Sequence, residues 1–236
     1  MRDPLQLLLA STSSGKLREF CQASALRGIR VDALPGINQM APCIEDGSSF
    51  EENARKKALY YSSKAPGLVF ADDSGLCVDA LGGAPGIFSA RFADDGASDS
   101  ANNSKLIEEL RRVLGSAGWS GEIRAPGASR ALSPTAAHYV CVIVLAERGR
   151  IVTATSGRAD GAIIDRPRGS GGFGYDPYFF CPSLDSTFAE LSPEAKFAVS
   201  HRGEAFRKML DFLGTPKGLK CTAGAATRCL AENQRG

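Results

Sequence analysis

The apolar run Leu5–Ala10 is followed by five small residues, Ser11–Gly15, and then by a helical pattern over Lys16–Leu26. A buried strand feeding a tight loop and then a helix is the opening of an α/β fold. The rest of the chain keeps that alphabet. Arg30–Leu34, Leu68–Ala71 and Leu76–Ala80 read as strands, and Asn103–Leu114 as an amphipathic helix. The run Ser48-Ser49-Phe50-Glu51 has capping-box spacing and starts a helix that continues to Ser63. Tyr139–Ala146 and Ile151–Ala159 read as a hairpin turning at Glu147–Arg150, and Pro193–Val199 and Gly203–Leu213 as helices. The expected fold is α/β with a central mixed sheet and flanking helices. Residues 1–214 form one domain, in which Gly115–Pro134, rich in Gly, Ser, Ala and Pro, is a surface loop or insertion. Thr215–Gly236 loses periodicity and reads as a loosely attached tail.

Composition narrows the function classes. Of the 236 residues, 43% are hydrophobic and 23% charged, which suits a globular chain rather than a disordered one. Lys and Arg exceed Asp and Glu by 28 to 26, a net charge of +2 that gives no footprint for nucleic acid. No apolar run approaches the roughly 18 residues of a membrane span, and the start of the chain lacks a signal-peptide pattern. The histidines are His138 and His201 alone, so a His-rich zinc centre is excluded and a metal would be bound by oxygen. The cysteines, at 21, 43, 77, 141, 181, 221 and 229, form no CxxC pair and argue for a reduced, cytoplasmic protein.

Five segments carry possible chemistry. Ser11-Thr12-Ser13-Ser14-Gly15-Lys16 lies between strand and helix, where backbone N–H groups and a lysine can receive an anion. It lacks the leading glycine and the final Ser/Thr of a Walker A loop, and a plain capped turn accounts for it as well. Asp72-Asp73-Ser74-Gly75 follows a buried strand. Adjacent carboxylates there are costly without a cation beside them, and one of them next to Mg²⁺ could activate water; a solvent-exposed Asx turn is the alternative. Glu45 precedes a helix on which Asn53 and Lys57 share a face at i and i+4. That set suits a metal–phosphate site or a solvated helix face. Gly169-Ser170-Gly171-Gly172-Phe173-Gly174 fits G-x-G-x-x-G, but Tyr175-Asp176-Pro177 follows instead of a helix, which rejects a dinucleotide site. The glycines can let backbone approach a flat ligand on which Phe173 stacks, with Asp176 accepting from ring N–H groups, or can simply make a tight turn. Lys196 leads to Ser200-His201-Arg202, in which His201 and Arg202 are donors suited to a keto oxygen, or an ordinary helix start.

Taken in order, seven blocks agree with one family: Ser11–Lys16, Glu45–Ala54, Ala71–Leu76, Val78–Gly86, Ser89–Arg91, Gly171–Pro177 and Ser200–Arg202. The sequence resembles the inosine triphosphate pyrophosphatase family over roughly Leu5–Leu213. The resemblance implies an elongated two-lobed fold with a nucleotide cleft between the lobes, usually a homodimer. It also implies Mg²⁺-dependent hydrolysis of ITP, dITP, XTP and dXTP to the monophosphate and pyrophosphate. By the same resemblance Asp73 is the general base, and Glu45, Asp72 and Asp73 are the metal-binding carboxylates. Lys16 and Lys57 hold phosphate, Ser74 contacts substrate, and Phe173 stacks on the base. Asp176, Lys196, His201 and Arg202 recognise the base. The full expected substrate-binding set adds Ser11, Thr12, Ser13, Ser14, Gly15, Asn53, Gly174 and Tyr175.

Two positions depart from the family pattern: Ser13, where Asn is common, and His138, where Arg is common. Selectivity has a physical basis. Donors aimed at a 6-keto oxygen reject adenine's amino group, and a site offering no partner to a 2-amino group rejects guanine. Each unpaired buried group costs about 1–3 kcal/mol. The rival readings are a Maf-type pyrophosphatase acting on pyrimidine or modified nucleotides, a nucleotide-binding regulator without turnover, and a nucleic-acid-binding module.

Overall fold

A computed structural model describes residues 5–25, 27–118, 134–215 and 218. Seven strands form one mixed sheet in the order β2-β1-β3-β4-β5-β6-β7. They span Leu5–Leu9 (β1), Ile29–Ala33 (β2), Leu68–Val78 (β3), Ala136–Glu147 (β4), Arg150–Ile163 (β5), Phe179–Cys181 (β6) and Ser186–Thr187 (β7). The helices are Ser14–Ala25 (α1), Phe50–Ser62 (α2), Asp99–Gly118 (α3), Pro193–Val199 (α4) and His201–Leu213 (α5). The chain divides into two compact units. The first holds residues 1–73, 141–157 and 202–236, the second residues 74–140 and 158–201.

In the first unit β1 runs parallel to both β2 and β3. Its core is aromatic: Phe20 of α1 meets Phe70 of β3 edge-on at 5.1 Å and Phe206 of α5 at 5.0 Å. All three are fully buried. α2 buries one stripe, Asn53, Ala54, Lys57, Ala58, Tyr61 and Ser62, at the spacing of a single helical face. The cap of α2 sits one residue later than the sequence suggests. Ser49 Oγ accepts from the Glu52 N–H at 3.2 Å, while Glu52 reaches back to Ser48 N at 2.7 Å.

The second unit is centred on Leu76, Val78, Leu106, Leu110, Tyr139, Ile163, Phe179 and Phe188. α3 starts four residues before the expected helix because Ser98 caps it, accepting from Ala101 N at 3.2 Å. Gly115 breaks its regularity at φ 69°. Residues 119–133, most of the expected insertion, and nearly all of the expected tail lie outside the described residues. β4 and β5 join through Arg148 and Gly149, both at positive φ, a two-residue turn whose twist matches a hairpin. The hairpin is longer at both ends than the sequence suggests.

The expected break between two strands at Asp72–Gly75 is absent, because Leu68–Val78 is one continuous strand. Asp, Ser and Gly are poor strand formers, which is why the segment reads as a turn. Here it lies in a strand flanked by β1 and β4. β1 covers only Leu68–Phe70, and its pairing closes with Ala10 N donating to the Phe70 carbonyl at 2.8 Å. The carboxylates therefore follow the carboxyl end of the parallel neighbour although their own strand continues.

Gly161 shows how tightly the antiparallel edge packs. A Cβ there would stand 2.4 Å from the Phe180 carbonyl oxygen and 2.6 Å from the Phe179 ring. Gly161→Ala is expected to cost about 1–3 kcal/mol through overpacking, read as a lower urea midpoint with an unchanged slope; an unchanged midpoint would show that β5 and β6 can separate freely.

Candidate functional site

Adjacent strand residues point to opposite faces, and Asp72 and Asp73 meet different cations. Asp72 Oδ2 lies 2.9 Å from Lys16 Nζ and 3.6 Å from Arg202 Nε. Arg202 Nη1 also donates to Glu19 Oε2 at 2.6 Å. The result is a chain of alternating charge, Lys16–Asp72–Arg202–Glu19, tying α1, β3 and α5 together within the first unit. Burial alone would raise the Asp72 carboxyl. Lys16, then Arg202 and Lys57, outweigh it and bring the group down to about 2.

Asp73 belongs to a second group. Lys57 Nζ lies 3.0 Å from Asp73 Oδ1 and 2.8 Å from Glu45 Oε2. The two carboxylate oxygens are thus no further apart than those two contacts laid end to end. Burial pushes the Asp73 carboxyl up despite Lys57. Lys57 stays protonated, because Asp73, then Asp72 and Glu45, overcome its own burial. Asp73 Oδ2 is buried and has no hydrogen-bond partner among the described residues. The loop bearing Glu45 is fastened to α2: Asn53 Oδ1 accepts from Gly47 N at 2.8 Å, and the Tyr61 hydroxyl accepts from Cys43 N at 3.3 Å.

The donor set fits a hard divalent cation: two carboxylates, one with a buried oxygen in need of a partner, leaving further positions to water and substrate phosphate. Among the described residues no three His, Cys, Asp or Glu side chains converge as a metal cage. The structure therefore does not bring Asp72 into the Glu45–Asp73 pair.

The Ser11–Lys16 segment is a capped helix start as well as a candidate anion loop. Ser13 caps α1, its Oγ accepting from Lys16 N at 3.4 Å and its carbonyl from Leu17 N at 3.1 Å. Ser11 Oγ accepts from Ser13 N at 3.2 Å, and Thr12 and Ser14 are exposed. Gly15 is buried in the first turn. Ser74, next to Asp73, is half-buried within β3.

In the second unit Asp176 organises the glycine-rich loop. Its Oδ2 accepts from Phe173 N at 2.9 Å and pairs with Lys196 Nζ at 2.5 Å, and both side chains are buried. The Lys196 ammonium stands 4.9 Å from the Phe173 ring centroid. The glycines serve close approach within the protein. Gly172 has φ +72°, and a Cβ on it would meet Asp176 Oδ2, while one on Gly169 would stand 2.5 Å from the Ala189 backbone. The Tyr175 hydroxyl donates to the Ser89 carbonyl at 2.8 Å. His201, expected ahead of the last helix, is its first residue and stacks on Tyr139 at 4.5 Å, nearly parallel. His138 Nδ1 lies 3.7 Å from Asp79 Oδ1.

Sequence reasoning missed Glu19, Asp99 and Asn103. Glu19 follows Lys16 by three positions on α1, a spacing that signals a shared face. Asp99 and Asn103 are i and i+4 on α3 and bond to Gly174, to which no local pattern could point.

Asp72→Asn takes the buried carboxylate from Lys16 and leaves Arg202 with Glu19, and is expected to destabilise the fold by about 3 kcal/mol. The sign with pH follows from its lowered carboxyl. In the wild type that stabilisation is complete above the usual carboxylate range and disappears as pH falls toward about 2. Acid titrations of stability should therefore be shallower for Asp72→Asn, and parallel curves would remove Asp72 from the account.

Residues 7–212 match the model of the Ham1 family. A dITP/XTP pyrophosphatase of Geobacter sulfurreducens is 44% identical over 211 residues, covering 89% of this chain and 96% of the relative. One from Acidobacterium capsulatum is 40% identical over 215 residues, covering 87% and 97%. Among solved structures, a HAM1 protein from Coxiella burnetii superimposes with a TM-score of 0.70 at 36% identity, covering 89% of this chain and 98% of that one. With a matched segment that spans every element from β1 to α5, the chain belongs to the Ham1 family.

Proposed function

We infer that this chain is a nucleoside-triphosphate pyrophosphatase that hydrolyses deaminated purine nucleotides, ITP, dITP, XTP and dXTP, to the monophosphate and pyrophosphate. The observation that carries the reading is the buried Asp73 oxygen that has no hydrogen-bond partner among the described residues, beside Lys57 and Glu45, in a chain of this family. Relatives named dITP/XTP pyrophosphatase support the substrate class and disfavour a Maf-type enzyme or a regulator without turnover.

In this reading Lys16 and Lys57 hold the triphosphate, with Ser11–Gly15 offering hydroxyl and backbone donors and Ser74 a further hydroxyl. Asp73 takes the proton of the attacking water, a role suited to a carboxyl raised by burial. Breaking the α–β anhydride then releases pyrophosphate, whose charge the lysines compensate. Glu45 and Asp73 would hold Mg²⁺, which when bound supplies neutralisation of the triphosphate. Asp72 acts through Lys16 and Arg202, which it anchors. Asn53 sets the Glu45 loop. Phe173 presents the stacking surface in the loop that continues through Gly174 and Tyr175 to the substrate, Asp176 holds Lys196 in place, and Lys196, His201 and Arg202 supply donors for a keto oxygen.

A homodimer working in the cytoplasm completes the proposal. No disulfide joins the five cysteines among the described residues, and no helix among those residues is long and apolar enough to cross a membrane. A net charge of +2 supports a small-molecule partner over nucleic acid.

Asp73→Asn is expected to lower pyrophosphate release from dITP by about 10²–10⁴-fold while the fold persists, and EDTA should abolish wild-type turnover until Mg²⁺ is restored. Near-normal turnover in the variant would refute the base, and full activity in EDTA the cation.

A further inference from the structure

The first turn of α3 grips the glycine-rich loop by its backbone. Asp99 Oδ2 accepts from the Gly174 N–H at 2.6 Å, and Asn103 Nδ2 donates to the Gly174 carbonyl at 2.9 Å. The two side chains are i and i+4, on one helical face, and they hold both polar groups of one residue more than 70 positions away. Gly174 has φ +64°, which glycine adopts without strain, and a Cβ on it would meet nothing within 4 Å, so the two bonds from α3, rather than crowding, fix this peptide. The residue before it is Phe173, and two residues on is Asp176, which pairs with Lys196.

Asn103 is informative in a second way. It is 8% exposed, and its Oδ1 has no hydrogen-bond partner among the described residues. A buried amide with an unsatisfied oxygen costs stability that an apolar side chain would not. Its other end makes the bond to Gly174, so the residue earns its place through the loop. The neighbouring Asn102 works in parallel on another segment: its Oδ1 accepts from Ala93 N at 2.8 Å and its Nδ2 donates to the Ala90 carbonyl at 3.2 Å. That segment carries Ser89, whose carbonyl accepts from the Tyr175 hydroxyl.

We propose that Asp99 and Asn103 are positioning residues for base recognition, clamping the Gly174 peptide so that Phe173 and the Asp176–Lys196 pair keep one geometry. The proposal rests on reading Phe173, Asp176 and Lys196 as the base-binding group. It separates two kinetic effects, because the phosphate-handling residues stand on α1 and the loop before it, on β3, and on α2 and the loop before it.

The test combines kinetics with amide hydrogen exchange over residues 172–176 in the full chain. Asn103→Ala is expected to raise KM for dITP about five- to tenfold, one hydrogen bond's worth, with kcat nearly unchanged and faster exchange confined to the loop. Asp99→Ala, at an exposed position, moves both readouts the same way by less, and Asp99→Asn, which keeps an acceptor, restores them. Unchanged KM and exchange in both alanine variants would overturn the proposal. So would a fall in kcat at constant KM, or faster exchange across the whole second unit. A wild-type chain inert toward dITP whose variants still loosen the loop would overturn the substrate reading while leaving the clamp intact.

Discussion

Two adjacent carboxylates inside a central strand are the constraint to which the first unit answers. Neither Asp72 nor Asp73 can stay charged and buried without a cation, and β3 sends them to opposite faces. α1 brings Lys16 and α5 brings Arg202 to the first, and α2 brings Lys57 to the second. The identities of three helices are thus tied to two residues of one strand. Neutralising Asp72 leaves Arg202 with Glu19, and neutralising Asp73 leaves Lys57 with Glu45, so each loss weakens a buried charge network without emptying it.

The division of labour follows from that geometry. Asp72 is fully committed to Lys16 and Arg202 and is held deep in its ionised form, which suits a fixed anchor. Asp73 shares one oxygen with Lys57, has a carboxyl raised by burial, and keeps a second oxygen to spend. Two neighbouring residues of the same type thus differ in the partners each face offers, which is the basis for proposing an anchoring role for Asp72 and a chemical one for Asp73.

Much of this was legible in the sequence, and the gaps have physical causes. The strand–loop–helix opening, the helix bearing Asn53 and Lys57, and the late hairpin follow from periodicity, which local burial imposes directly. Lys57 and Glu45 were foreseeable as neighbours because one helix and its preceding loop carry them. The continuity of β3 through Asp72–Gly75 was not, since propensity speaks for a turn, while the flanking strands and the cations that sustain it are distant in sequence. Nor could the sequence separate the roles of Asp72 and Asp73, which depends on α1 and α5. The glycine loop reads equally as room for a ligand or as a tight turn, and what Gly169 and Gly172 make room for, Ala189 and Asp176, is set by tertiary structure. Asp99 and Asn103 act across a long sequence separation and leave no local trace.

The central claim is that Glu45 and Asp73, bridged by Lys57, form the divalent-cation site of a phosphoanhydride hydrolase. Mn²⁺ titration followed by electron paramagnetic resonance, with a non-hydrolysable α,β-methylene analogue of dITP bound, tests it most directly. The account predicts that Glu45→Gln and Asp73→Asn each weaken Mn²⁺ binding about tenfold or more, the loss of one charged ligand. Mn²⁺ affinity equal to wild type in both variants would contradict it.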